Sequence, residues 1–197
     1  MSEMRRRELL KSSASALLAA TMAPAGRLAL ADTPGHRSID LDKLSIIHSD
    51  EGVLLSYSVR FDLPRDLEQA LSKGIAVVFV AEANVFRKRW YWTDQVRSET
   101  SRRWRLAYQP LTRRWKLTLD GLGRHFTNLN DAMDALRRTD RWRIADPIPG
   151  ADEQDCYVDF SFRLDTDELP RPLQIGLGGR PEWNLDVQRR AWVPALR

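Results

Sequence analysis

Arg102-Arg103-Trp104-Arg105-Leu106-Ala107-Tyr108-Gln109-Pro110, then Arg114-Trp115-Lys116-Leu117-Thr118-Leu119, carry the strongest local pattern in this chain. Trp104, Leu106 and Tyr108 alternate with Arg103, Arg105 and Ala107; Trp115, Leu117 and Leu119 alternate with Arg114, Lys116 and Thr118. Side chains of a strand point alternately to its two faces, so each segment has one aromatic-aliphatic face and one mainly basic face. The Gln109-Pro110 break between them predicts a hairpin with one side in the core and the other in water.

The same reading extends toward the N-terminus. Residues 75–86 are apolar and β-branched and predict a buried strand, expected to run on through Arg87-Lys88-Arg89-Trp90-Tyr91-Trp92. Val53, Leu55, Tyr57, Val59 and Phe61 fall on alternate positions, and residues 38–47 are strand-like. Ser49-Asp50-Glu51-Gly52 is the turn that joins them. Asp62-Leu63-Pro64 is expected to open a short helix, with Asp62 as its cap and Gly74 as its stop.

Toward the C-terminus, Asp120-Gly121 and Gly123 predict a turn. Thr127 or Asn128 then caps a helix reaching about Thr139, with Leu129, Met133 and Leu136 at helical spacing. A brief strand is expected at 142–144, a loop at 146–155, and strands at 156–164, 173–177 and 183–187. The sum is mainly β: a single antiparallel, sandwich-like domain over residues 32–197 with two short helices. An α+β fold with its helices on one sheet face is the alternative.

Residues 1–31 read as an export signal. Arg5-Arg6-Arg7 is a basic start, residues 12–23 are softly apolar, and Ala29 and Ala31 are the small residues a peptidase requires, so cleavage is expected after Ala31. Arg6, Arg7, Leu9, Leu10 and Lys11 follow the twin-arginine pattern, with the general secretory route as the alternative. Periplasmic localisation and engagement of the export machinery follow from either. No apolar run reaches the roughly 20 residues of a membrane-spanning helix, so no transmembrane helix is expected in the mature form.

The 197 residues carry a net charge of +4, which invites a nucleic-acid reading until the charge is located. Five bases and two acids lie in residues 1–31, leaving +1 on the remainder. That +1 is uneven. Residues 87–143 hold fifteen bases and six acids, a net of +9, whereas residues 32–86 and 144–197 are each at −4. The basic segment also contains Trp90, Trp92, Trp104, Trp115 and Trp142. Interleaved bases and aromatics bind anionic polymers by charge and stacking. The competing reading makes the tryptophans core and pairs the bases with the protein's own acidic flanks. Export makes nucleic acid an unexpected ligand and points instead to an envelope protein or an anionic envelope polymer. The candidate surface is Arg87, Lys88, Arg89, Arg103, Arg105, Arg114 and Lys116.

Catalytic and metal-binding patterns are not found. His36, His48 and His125 have no ligand-type spacing, and His48, beside a turn, is expected at the surface. Cys156, the single cysteine, alternates with Val158, Phe160 and Phe162 and is expected to be a buried structural thiol. No nucleophile elbow or phosphate loop occurs. A non-enzymatic binding or interaction module without cofactor is therefore the expectation. The alternative is an exported enzyme or cofactor carrier, motivated by the twin-arginine route, which carries folded proteins.

Several phrases resemble a known family: Leu63-Pro64, Leu67-Glu68-Gln69-Ala70-Leu71, Lys73-Gly74-Ile75, Arg87 with Trp90, and Leu106-Ala107-Tyr108-Gln109-Pro110-Leu111-Thr112-Arg113. Phe126, Leu129, Ala132 and Leu136 agree with it, as do Leu169-Pro170-Arg171-Pro172-Leu173-Gln174 and Trp183. Over residues 38–193 the chain resembles the bacterial domain of unknown function family 4390. The resemblance implies a small exported or envelope-associated protein and transfers no catalytic residue. Members of that family are often encoded near sensor kinase genes, which implies a link to envelope signalling.

Overall fold

A computed structural model describes residues 39–149, 155–171 and 185–196, all within the compact unit 33–197. Its elements, in chain order, are β1 (Asp40–Ser49), β2 (Gly52–Arg60), α1 (Arg65–Ser72), β3 (Val77–Arg87), β4 (Gln95–Gln109), β5 (Arg114–Leu119), β6 (Leu122–Phe126), α2 (Leu129–Arg137), β7 (Arg138–Ala145), β8 (Cys156–Asp165) and β9 (Asp186–Trp192). They build a three-stranded sheet, β1-β2-β7, and a six-stranded sheet, β6-β5-β4-β3-β8-β9. Every pairing is antiparallel. The fold is the mainly β, sandwich-like one that the alternation predicts.

The core lies between the sheets. From β3 it takes Val77, Phe79, Ala81, Ala83 and Val85; from β8, Cys156, Val158, Phe160, Phe162 and Leu164; from β2, Val53, Leu55, Tyr57 and Val59. Residue sizes are complementary across the β3–β8 ladder. Ala81 stands opposite Phe162 and Ala83 opposite Phe160, which leaves room for both rings to reach β2. Tyr57 meets Phe160 at a ring-centroid distance of 4.9 Å and Phe162 at 5.9 Å. Cys156 is fully buried, as its place in the alternation predicts. Helix α2 buries Ala132, Met133 and Leu136 and is capped by Asn128, whose side chain accepts from the Asp131 amide at 2.8 Å.

Local expectations are corrected at several places. Strand β3 ends at Arg87, so Lys88 to Trp92 leave the sheet as the β3–β4 connection. The first helix starts two residues later than Asp62 suggests. Pro64 is its N-cap and no side chain caps it; the Pro64 carbonyl accepts from the amides of Leu67 and Glu68. Gly123 sits inside strand β6, not in a turn. Helix α2 stops at Arg137, and the brief strand expected at 142–144 is the end of an eight-residue one. The final strand is Asp186–Trp192. The strand expected at 173–177 and the beginning of the one expected at 183–187 lie outside the described residues.

His48 is also corrected. It is 1% exposed, and its Nε2 accepts from the Ile148 amide at 3.0 Å. A sequence separation of 100 residues hides this bond from any local reading. It ties the segment after β7 to the end of β1.

Candidate functional site

The alternation on β4 and β5 holds in space: Trp104, Leu106 and Leu117 are buried, and Arg103, Arg105 and Arg114 are exposed. Cross-strand register brings Arg105 opposite Thr118, Ala107 opposite Lys116 and Gln109 opposite Arg114. All four expected bases of this hairpin therefore share the outer face of the six-stranded sheet. Arg103, however, binds both Asp165 and Glu168, each at 3.0 Å. Asp165 is 6% exposed and receives the Asp167 amide as well, at 3.3 Å. Burying a carboxylate is costly unless it is paired and hydrogen-bonded, so Arg103 serves the fold.

Several other bases are engaged in the same way. Arg163 reaches Glu82 at 3.1 Å, Arg190 reaches Asp159 at 2.7 Å, Arg141 reaches Glu51 at 2.7 Å and Arg143 reaches Asp146 at 2.7 Å. Arg102 lies over the Trp142 ring, 5.1 Å from its centroid, and its burial lowers its pKa. Of these, Arg103, Arg141 and Arg143 belong to the +9 segment and pair with acids of both flanks. Arg105 borders a shallow depression of about 300 Å³ together with Arg103, Thr118, Asp120 and Glu168; the acids in its wall oppose an anion.

Arg87, Lys88 and Arg89 are placed differently. Arg87 ends β3, and Lys88 and Arg89 are exposed in the loop that returns to β4. Trp90, Tyr91 and Trp92 follow at 84%, 82% and 79% exposure. Apolar rings of this size are seldom left in water by a fold that has a core available to bury them. The loop encloses a depression of about 430 Å³ with Asp155 at its rim. Arg105 lies ten positions along β4 from Gln95, at this end, a span of about 30 Å at strand rise. The structure therefore does not bring the two halves of the expected basic surface together.

The register adds residues that the sequence did not single out. On the outer face, Phe86 stands opposite Val96 on β4 and Tyr157 on β8, and Tyr157 stands opposite Trp192 on β9. Phe86 and Tyr157 stack at 5.4 Å, and Tyr157 meets Trp192 edge-on at 5.7 Å. The Arg190 guanidinium covers the Tyr157 ring at 4.2 Å. This aromatic row runs across the sheet at the end from which the Trp90–Trp92 loop projects. Its only sequence signal is a second basic-aromatic phrase, Arg189-Arg190-Ala191-Trp192, roughly 100 residues from the first.

Asp94 holds the loop through two hydrogen bonds, beside those that the Lys88 amide makes to the Asp155 carbonyl and the Arg89 guanidinium to Gln95. The Tyr157 hydroxyl donates to Asp94 Oδ2 at 2.6 Å, and the Arg89 amide donates to Asp94 Oδ1 at 3.2 Å. The Tyr157 hydroxyl and then the Arg89 amide hold the Asp94 carboxyl below its ordinary value, while the bond to Asp94 raises the Tyr157 hydroxyl above its own. A carboxyl whose pKa is lower in the folded state stabilises that state above its unfolded value, and loses the effect as pH falls through its folded value. Loop anchoring therefore weakens in acid. In Tyr157→Phe the Asp94 titration moves up toward the ordinary carboxylate range, as read by NMR of the side-chain carboxyl carbon. An unmoved titration contradicts the anchoring role of this bond.

Among the described residues no cluster of His, Cys, Asp and Glu has metal-holding geometry, and no helix is long and apolar enough to cross a membrane. The expected signal residues Arg6, Arg7, Leu9, Leu10, Lys11, Ala29 and Ala31 lie outside the described residues. Compared with known proteins, residues 36–193 match the family described as Domain of unknown function (DUF4390). No match is found among curated proteins or among solved structures.

Proposed function

The chain belongs to the DUF4390 family, whose description assigns no activity, and from that premise we propose that it is an exported, non-enzymatic binding module of the periplasm that engages an anionic envelope partner through the β3–β4 tip. The observation that carries this reading is the contrast between its two sets of bases. Arg103 is tied to Asp165 and Glu168, whereas Lys88 and Arg89 stand exposed beside three rings that are each at least 79% exposed. Cations next to accessible aromatic faces attract anions and then hold them by contact. The mature chain is expected to begin at Asp32, and its role in envelope signalling would be to report or transmit such a contact.

The reading is tested by retention on an immobilised anionic polymer such as heparin, with the N-terminus of the periplasmic protein sequenced first. Asp32 at the N-terminus is the expected result. Arg87→Gln/Lys88→Gln/Arg89→Gln is expected to elute at clearly lower salt than the wild type, and Arg103→Gln close to it. Equal elution of the triple variant and the wild type would sink the tip as the binding element; an intact Met1 on a cytoplasmic protein would sink export.

A further inference from the structure

We propose that the β3–β4 tip is an interfacial anchor that seats the protein on an anionic phospholipid bilayer, its rings entering the headgroup–acyl boundary and its bases meeting lipid phosphates. This rests on the tip being the binding element, and it names the partner. The first argument is the residue chemistry. Tryptophan and tyrosine join an apolar ring to a polar N–H or O–H, and they concentrate where a membrane is apolar on one side and wet on the other. Trp90, Tyr91 and Trp92 supply three such side chains in succession, 79–84% exposed. Trp90 and Tyr91 lean on each other at 5.1 Å, so they present a shared surface.

The second argument is charge. Residues 86–97 contain Arg87, Lys88, Arg89 and Arg97 against the single acid Asp94, and that carboxylate already accepts bonds from Tyr157 and Arg89. Asp155 lines the same depression, and the Lys88 amide donates to its main-chain oxygen at 2.8 Å. Bases close to an anionic leaflet each add to membrane affinity.

The third argument is the footprint. Behind the loop, the aromatic row continues the apolar character across the sheet, with Val96 48% and Trp192 55% exposed. The outer face then turns polar within one row: Asn84 stands opposite both Glu99 and Asp159, and Asp159 opposite Arg190. An apolar, cation-rimmed end on an otherwise polar face matches the depth profile of a bilayer surface. Rings standing this far into solvent need no preformed pocket in a fluid interface that closes around them.

The test uses the full chain and vesicles of phosphatidylglycerol mixed with phosphatidylcholine, against pure phosphatidylcholine, with acyl chains brominated to quench tryptophan on contact. Residues 1–38 contain no tryptophan, so quenching reports the domain, and every variant keeps the same N-terminal segment. The wild type is expected to sediment with the anionic vesicles and to be quenched by them. Arg87→Gln/Lys88→Gln/Arg89→Gln is expected to lower partitioning by roughly 100-fold. Trp90→Phe/Trp92→Phe is expected to remove most of the quenching while binding persists, and Trp90→Ala/Tyr91→Ala/Trp92→Ala to remove both. Apart from half-buried Arg87, the variants change exposed side chains, and an unshifted Tm confirms that they fold.

Several outcomes overturn the proposal. One is equal binding by wild type and tip variants. Another is quenching undiminished in Trp90→Phe/Trp92→Phe. A third is concentration-dependent dimerisation that the tip variants abolish without vesicles, which would make a second copy the occupant. Retention on heparin that depends on the tip, with no vesicle binding, rejects the bilayer while leaving the anion-binding reading intact. Loss of both rejects both.

Discussion

Phe162→Ala is expected to destabilise the protein by about 3–5 kcal/mol, lowering Tm by roughly 10 °C for a domain of this size. Phe162 is fully buried on β8 and touches three other rings, Tyr57 at 5.9 Å and Phe61 and Phe79 at 5.8 Å each. Its cross-strand neighbour on β3 is Ala81, too short to move into the vacated space. Tyr57 is pinned as well, since its hydroxyl accepts from Trp104 Nε1 at 3.4 Å. A cavity between the sheets remains, and a cavity that cannot collapse adds to the lost transfer energy. Chemical denaturation of wild type and variant checks this. A loss below about 1 kcal/mol would mean that the two sheets do not share this core.

Gly52→Ala is expected to destabilise by about 2–3 kcal/mol, a large effect for a single methyl group. Gly52 closes the β1–β2 turn at φ 120°, a conformation that residues with a Cβ rarely adopt. A Cβ there would collide with the Ala145 carbonyl oxygen. That carbonyl belongs to backbone paired with Val53 across β2 and β7, so relief requires the β7 end to retreat. The two penalties act in the same direction. Thermal unfolding measures the result, and an unchanged or raised Tm would contradict the close approach of β7 to this turn.

Strands β2, β8 and the β4–β5 pair are legible from apolar alternation, and β3 from its continuous apolar, β-branched run. Strand β7 was only half legible, for a definite reason. Thr139 and Trp142 are both buried, although three positions apart, because a register shift against β2 occurs between them and Arg141 takes φ 48°. A bulge of this kind breaks the period of two on which the reading depends. Strand β6 was missed because it lies at the sheet edge, where Leu122 is 80% exposed and no apolar alternation is required. Buried His48 was read as exposed because its partner comes from Ile148, and a turn-side histidine carries no local sign of such a partner.

The sequence alone determined that this chain is a β-rich domain of the DUF4390 family, with its charge concentrated between residues 87 and 143. Alternation and multi-residue phrases are written along the chain, and short-range order preserves them. Only the tertiary structure decided which bases are tied to the protein's own acids and which stand beside exposed rings. It placed Asp165 and Glu168 under Arg103 and left the Lys88–Trp92 loop uncovered. It also set Trp192 beside Tyr157 and Phe86 at the same end. Those juxtapositions depend on the order β4-β3-β8-β9. Strand order is set by core packing between residues far apart in the chain, and no local pattern encodes it.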